Sequence, residues 1–309
     1  MENSSTESNE RVRDSRTGDD FHYCWAARRC LNMIVPNSDL KNIFIEGSGK
    51  KHQPGEYSID VAEYYTGETP KEIYYQLKHS VRRVDEPFQL SEFSKTLSDF
   101  AARFRSHIED GTDSTARFVI VTNRPFALGF FTKLEKLRNH QYPDKRFLST
   151  IKKYTGLSDE ELFNFCTQLS IADTEENYLA QRKQLSRALG RLCFSSEHAN
   201  LVDVLIEYIK KKALPGQDSP IYAEDVLGLF GFASVEDFLP APSKLSLPER
   251  FIDRGCYPTL VDTLTRSRKP IIIHAAGGVG KSVFTSALQQ NRDFNYFIDN
   301  LLSYYRQPV

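Results

Sequence analysis

Tyr57-Ser58-Ile59-Asp60-Val61-Ala62-Glu63-Tyr64-Tyr65 and, beyond Gly67 and Pro70, Ile73-Tyr74-Tyr75-Gln76-Leu77-Lys78 are two short runs rich in β-branched and aromatic residues. Their length and composition predict strands, and Gly47, Gly49, Pro54, Gly55, Gly67 and Pro70 punctuate the gaps as turns require. If the two runs pair as neighbours, Asp60, Gln76 and Lys78 project from one side of the sheet, because residues i and i+2 of a strand share a face. Working outward, Asn42–Glu46 (Ile43, Phe44, Ile45) predicts an earlier strand. Arg117–Thr122 (Phe118, Val119, Ile120, Val121) predicts a later, buried one, closed by Asn123 and Pro125. Phe21, Trp25, Leu31 and Ile34 mark a helix with one buried face, ended by Pro36; Phe93, Leu97, Phe100 and Phe104 mark another over Leu90–Ile108. The order helix–strand–strand–strand–helix–strand predicts an α/β unit over residues 17–142, preceded by a polar tail, 1–16, expected to be disordered.

Residues 143–246 read as an all-α connector. Ser158 with Glu161, and Asp173 with Glu176, have capping-box spacing at two helix starts. Leu201, Val204, Leu205, Tyr208 and Ile209 form one apolar stripe. Lys210, Lys211 and Lys212 then close the helix with a basic turn that suits its dipole, so this run reads as a solvated helix end in preference to a DNA patch. Pro240 and Pro242 mark a linker, and a third unit spans 247–309.

That third unit opens on Ile271-Ile272-Ile273, then His274-Ala275-Ala276-Gly277-Gly278-Val279-Gly280-Lys281-Ser282 and a helical pattern through Val283, Phe284 and Leu288. Strand, glycine-rich loop and helix in this order predict a phosphate-binding loop for ATP. Gly277, Gly278 and Gly280 let backbone N–H groups curl around a phosphate, Lys281 neutralises the terminal phosphates, and the Ser282 hydroxyl can reach Mg2+. Ala275 stands where the first glycine of the pattern is usual. ATP hydrolysis by this chain alone is not expected, because the further parallel strands and acidic metal-positioning residue it needs do not follow before Val309. Asp299 comes too soon after the loop's helix to be that residue.

Composition removes several function classes. Across 309 residues, 40 Lys+Arg against 41 Asp+Glu leave a formal charge of −1, so any nucleic-acid contact must come from a local patch. No apolar run is long enough for a membrane helix, and Met1–Asp20 lacks the apolar core of a secretion signal. Cys24, Cys30, Cys166, Cys193 and Cys256 are scattered with no CxxC pair, and the seven histidines lack ligand spacing. A reduced, cytoplasmic protein with no zinc site and no membrane partner is expected.

The set Asp60, Gln76 and Lys78 suits phosphodiester chemistry. A carboxylate and a second oxygen donor hold Mg2+ against the scissile phosphate, and a lysine beside them stabilises an attacking hydroxide or the pentacoordinate phosphorane. Gln76 offers an amide oxygen where a carboxylate is commoner, and Glu46, at the end of the first strand, could supply the missing charge. Each residue also has a plainer account: Asp60 as a surface charge on an edge strand, Lys78 as a strand-end lysine reaching to solvent. Arg82 and Arg83 suit DNA phosphates, yet Asp85 and Glu86 follow at once and suit a solvated mixed-charge turn equally.

Taken together, Gly18-Asp19-Asp20-Phe21, Trp25, Glu46-Gly47, Asp60, Gln76-Leu77-Lys78-His79 and Val121-Thr122-Asn123 resemble the double-stranded-DNA endonuclease domain of bacterial anti-phage effectors. That domain is a restriction-endonuclease-like PD-(D/E)xK fold in its Mrr-like form, with Gln in the Glu position. It occurs in endonucleases of cyclic-oligonucleotide systems and at the front of antiviral STAND NTPases, where a helical connector and a P-loop domain follow it in the order read here, and then a repeat sensor that is absent here. The resemblance implies Asp60 and Gln76 as Mg2+ ligands, Lys78 as the catalytic lysine, Glu46 as an acidic partner, double-stranded DNA as substrate and a homo-oligomer in the intact protein. It leaves open the acid that many members carry on the first helix, where this chain has Asp19, Asp20 and His22. Two other classes compete with an antiviral endonuclease: a catalytically silent DNA- or nucleotide-binding regulator, and a signalling NTPase fragment whose α/β unit is an interaction module.

Overall fold

In the computed structural model, which describes residues 2–35, 38–67, 70–112, 115–192, 198–234 and 257–266, the strands form one mixed sheet ordered β1 (Leu40–Ile45), β2 (Val61–Tyr65), β3 (Glu72–Lys78), β4 (Ala116–Thr122) and β5 (Leu169–Ala172). β1, β2 and β3 are antiparallel neighbours, and β3–β4 and β4–β5 are parallel. Parallel neighbours need a crossover. The first is α2 (Ser94–Glu109), entered through a short 3₁₀ turn, Leu90–Phe93; the second is α3 (Phe130–Arg138), α4 (Lys145–Thr155) and α5 (Asp159–Gln168).

Each face of the sheet carries its own core. Ala62, Tyr74, Phe118 and Ile120 pack under α2 to α5, among them Phe100, Phe104, Ile151 and Phe165. Val61, Tyr75, Leu77 and Val121 pack on the other face under α1 (Glu2–Leu31), α6 (Tyr178–Leu192), α7 (His198–Lys212) and α8 (Ala223–Leu229). Being covered on both sides, β3 buries Tyr74, Tyr75, Gln76 and Leu77 in succession, which is why it reads as a nearly continuous apolar run. The outer edge of β1 is blunted by a two-way pairing: Ile43 N–H donates to the Ile221 carbonyl at 3.0 Å, and Ile221 N–H to the Ile43 carbonyl at 2.7 Å.

α1 is fastened to the sheet by an ion pair whose carboxylate is fully buried and whose arginine is 24% exposed. Arg29 Nε and Nη2 donate to the two carboxylate oxygens of Glu63 at 2.6 and 2.8 Å, and the hydroxyls of Tyr65 and Tyr75 add bonds to Glu63 Oε2 at 2.7 and 2.8 Å. The Glu63 side chain is fully buried, and the Arg29 guanidinium also lies over the rings of Trp25 and Tyr75. Four donors on one carboxylate meet the requirement that a buried charge be paired and hydrogen-bonded.

The elements differ from the sequence reading at several places. The backbone is helical from Glu2, so residues 2–16, expected as a disordered tail, continue α1; no proline interrupts them. Residues 143–246 are not all-α. Leu169–Ala172 pairs in parallel with β4, α4 and α5 complete the layer begun by α2, and no structural break falls at residue 142. This strand escapes a sequence reading because it is four residues long, with its apolar side chains continuing the helical pattern before it. The capping box at Ser158–Glu161 is present at the start of α5. Asp173–Glu176 does not open a helix: α6 starts at Tyr178, with Ala180 N–H donating to the Asn177 side chain at 3.1 Å. Lys210, Lys211 and Lys212 do close α7, where Lys210 bonds Glu207 and Lys212 bonds Ser219. Cys24, Cys30 and Cys166 are buried free thiols, and burial pushes Cys24 up to about 11.

The chain divides into two units, Met1–Leu239 and Pro240–Val309. In the second, the described residues form one helix, Tyr257–Arg266. The phosphate-binding loop with Gly277, Gly278, Gly280, Lys281 and Ser282 lies outside the described residues. No described helix is long and apolar enough to cross a membrane.

Candidate active site

Strand adjacency brings the predicted residues together. Asp60 stands one residue ahead of β2, not on it, but its backbone continues the ladder: its N–H donates to the Tyr75 carbonyl at 2.9 Å, and its carbonyl accepts from Glu46 N–H at 2.7 Å. The Asp60 carboxylate turns toward β3, where Oδ2 accepts from Gln76 Nε2 at 2.6 Å and from Leu77 N–H at 2.5 Å. Gln76 is 7% exposed, and its Oε1 receives only a long contact, 3.5 Å, from Thr96 Oγ1 of α2. Lys78 lies two residues on, on the same strand face as Tyr74 and Gln76. It is half-buried, and among the described residues its ammonium has no ion-pair partner.

Glu46 follows β1 in an unusual backbone state, with φ 54° in the left-handed region that non-glycine residues seldom occupy. Its carboxyl is pushed up to about 7, by burial first and then by the negative charges of Asp60 and Asp19. Three acidic groups therefore act on one corner of the sheet, one of them from α1. Asp19 is exposed; Asp20 lies 3.8 Å from Lys210. His79, next to Lys78, stacks on Phe21 with centroids 4.6 Å apart, and burial, aided by His22, pushes it down to about 4. It is neutral near pH 7 and adds no positive charge beside Lys78.

The turn carrying Glu46 is held from a distance by residues the sequence reading did not single out. Glu56 accepts Ser48 N–H at 2.7 Å and the Ser48 hydroxyl, and it is paired with Arg103, a fully buried arginine on α2 that also donates to the Pro54 carbonyl at 2.8 Å and to Gln53. Close approach explains Gly55: at φ 75° a Cβ would lie 2.2 Å from the Asp99 carbonyl oxygen, so only glycine lets the turn seat on α2. One signal was available in the sequence. Position 103 falls on the apolar stripe of α2 beside Phe100 and Phe104, where a charged residue implies a buried partner.

The donor chemistry fits a hard divalent cation. Asp60 Oδ1 receives no hydrogen bond from a described residue, and the carboxyl of Glu46 faces like charge that a cation would relieve. Turning the Gln76 amide over would present Oε1 on the Asp60 side and Nε2 to Thr96 Oγ1, which accepts as readily as it donates. Among the described residues, no group of three His, Cys, Asp or Glu is arranged to hold a metal, so a cation here would rest on Asp60 and Gln76 and keep several waters.

No family model and no curated protein matches the chain. Among solved structures, the Cap4 SAVED/CARF-domain containing receptor of Moraxella osloensis aligns with 92% of this chain at 14% identity and a TM-score of 0.45. The Cap4 SAVED/CARF-domain containing receptor of Acinetobacter baumannii aligns with 90% at 13% identity and 0.41, and its structure with the cyclic trinucleotide 2'3'3'-cAAA with 69% at 12% and 0.40. This chain spans 62%, 60% and 44% of the lengths of those three chains.

Proposed function

We propose that this chain is a Mg2+-dependent endonuclease of double-stranded DNA. In this reading it is an effector of bacterial antiviral defence whose phosphate-binding loop belongs to a STAND-type nucleotide switch, with ATP as its ligand and a homo-oligomer as the active form of the intact protein. The observation that carries the chemistry is the Asp60–Gln76 contact of 2.6 Å. It joins a carboxylate from the mouth of β2 to an amide on β3, two residues from a lysine that has no ion-pair partner among the described residues. A bound Mg2+ would polarise a phosphate oxygen and lower the pKa of a bound water. The chain's own part is positional and electrostatic. Asp60 and Gln76 would fix the cation's place through a strand ladder, Glu46 would add charge from the turn after β1, and the Lys78 ammonium would stabilise the negative charge that grows on the phosphorane. The link to antiviral defence and to a nucleotide switch rests on the motif resemblance and the sequence of residues 274–282.

The full chain incubated with supercoiled plasmid is expected to produce nicked and linear forms in Mg2+ or Mn2+ and none in EDTA. A plasmid left intact with every metal would reject the reading.

One observation favours a second reading, a DNA-binding regulator that does not cut. Gln76 presents its NH2 group to Asp60, and among the described residues no group of three His, Cys, Asp or Glu is arranged to hold a metal. That reading predicts duplex binding without cleavage, unchanged by Lys78→Ala.

A further inference from the structure

Charge is spread unevenly along the chain. Residues 130–153, which make α3 and α4, hold seven Lys and Arg against two Asp and Glu. That is an excess of five positive charges in a chain whose formal total is −1, so the remainder carries an excess of six negative ones. Three of the seven cations are already paired: Lys133 Nζ lies 3.0 Å from Asp144, Lys152 Nζ 2.8 Å from Asp159, and Arg138 Nη1 3.2 Å from Glu135. These pairs occupy both carboxylates of the segment, and Asp144 also caps α4 by accepting Phe147 N–H at 2.9 Å. Lys136, Lys145, Arg146 and Lys153 are exposed and have no ion-pair partner among the described residues.

The two helices are joined where these groups meet. The Phe130 and Phe147 rings stand 5.9 Å apart and Lys133 Nζ lies 5.5 Å over the Phe147 ring, which places Lys136, one turn along α3 from Lys133, beside the start of α4. On α4, Arg146 and Lys153 are seven residues apart and share a face, about 10 Å along the axis. Between them, Ser149 and Thr150 donate their hydroxyls to the Arg146 carbonyl at 3.0 and 2.7 Å and bring no charge. The same helical layer covers the sheet face to which Gln76 and Lys78 belong: Tyr74, two and four residues before them, is in its core. Thr122, the register partner of Lys78, is the last residue of β4, and α3 begins eight residues further on.

We infer that the outer surface of α3 and α4 holds the phosphate backbone of duplex DNA outside the candidate active site, with Arg146 and Lys153 on phosphates about three base pairs apart and Lys136 and Lys145 beside them. Three of these four cations are lysines, which favours DNA over an acidic protein surface. Protein interfaces are depleted in lysine and built on apolar and aromatic anchors, whereas a phosphate contact needs only an uncompensated cation. Cations without carboxylate partners keep their full charge for displacing the counterions of DNA. The inference rests on the chain's engaging DNA, which the cutting and the non-cutting readings share, and it holds whether or not Lys78 is catalytic.

The test is fluorescence anisotropy of an end-labelled 30-bp duplex with the full chain in EDTA, titrated at several salt concentrations, beside plasmid cleavage in Mn2+. Arg146→Gln with Lys153→Gln is expected to weaken duplex binding about tenfold and to lower the slope of log affinity against log salt by about two. Lys183→Gln with Arg187→Gln, at two exposed positions of α6 on the other face of the sheet, removes the same charge and is expected to change affinity by less than about twofold. Both variants alter only exposed side chains, so each should keep the wild-type thermal midpoint. Duplex binding by the α4 variant within about twofold of wild type, the result for a surface that serves an acidic protein, would overturn the inference. An equal loss in the α6 variant would also overturn it, because the effect would then be one of bulk charge. Either result, with plasmid cut by wild type, leaves the endonuclease reading standing. A wild type that neither binds duplex nor cuts plasmid would overturn both.

Discussion

Replacing Lys78 by alanine is expected to slow plasmid cleavage by about 10²–10³-fold, the usual loss when one preorganised group that stabilises transition-state charge is removed. Duplex affinity should change by little more than the one phosphate contact it supplies. The thermal midpoint should stay within about 1 °C of wild type, because the ammonium of Lys78 has no ion-pair partner among the described residues and its removal strands no buried charge. The neighbourhood sharpens the expectation. His79 is held neutral by burial and Arg83 is tied to Glu86 and Glu92, so neither can replace the missing cation at that place. A cleavage rate within threefold of wild type would remove Lys78 from the chemistry.

The largest expected effect on stability is at Glu63. Glu63→Ala leaves Arg29 beside the sheet without its carboxylate and takes the acceptor from the hydroxyls of Tyr65 and Tyr75. Removing one partner of a buried pair costs about 3–5 kcal/mol. For a unit of this size that lowers the thermal midpoint by about 6–20 °C, readable by circular dichroism. Replacing both partners at once, Arg29→Met with Glu63→Leu, should recover much of the loss, since an apolar pair strands no charge. A single-variant midpoint within about 2 °C of wild type would show that the pair does not fasten α1 to the sheet. This prediction stands apart from the proposed activity, and it identifies what holds the helix carrying Asp19 against the corner where Glu46 sits.

The order of elements was legible because glycine and proline separate the strands and because the helices show three- and four-residue apolar spacing. The juxtaposition of Asp60 and Gln76 was legible only on the condition that their strands are neighbours, which alternation alone does not establish. Its detail, the carboxylate accepting both the Gln76 side chain and the Leu77 backbone, depends on Asp60 standing just before the strand. Glu56 and Arg103 left a trace in sequence, a charge on an apolar stripe. Arg29 and Glu63 left none, because residues so far apart meet only once the sheet exists. β5 was hidden by its shortness, and the start of α6 by a capping-box spacing that no helix uses.

The central claim is that Asp60, Gln76 and Lys78 form one metal-dependent phosphodiester centre. The most direct measurement is Mn2+-supported cleavage of a linear duplex by wild type, Asp60→Asn and Gln76→Ala, prepared alike and matched in thermal midpoint. The account predicts cutting by wild type, none detectable with Asp60→Asn, and a rate lowered by about tenfold or more with Gln76→Ala, because the carboxylate brings charge as well as an oxygen and the amide brings an oxygen alone. Cutting by Asp60→Asn at the wild-type rate, or no cutting by wild type with any divalent metal, would contradict it.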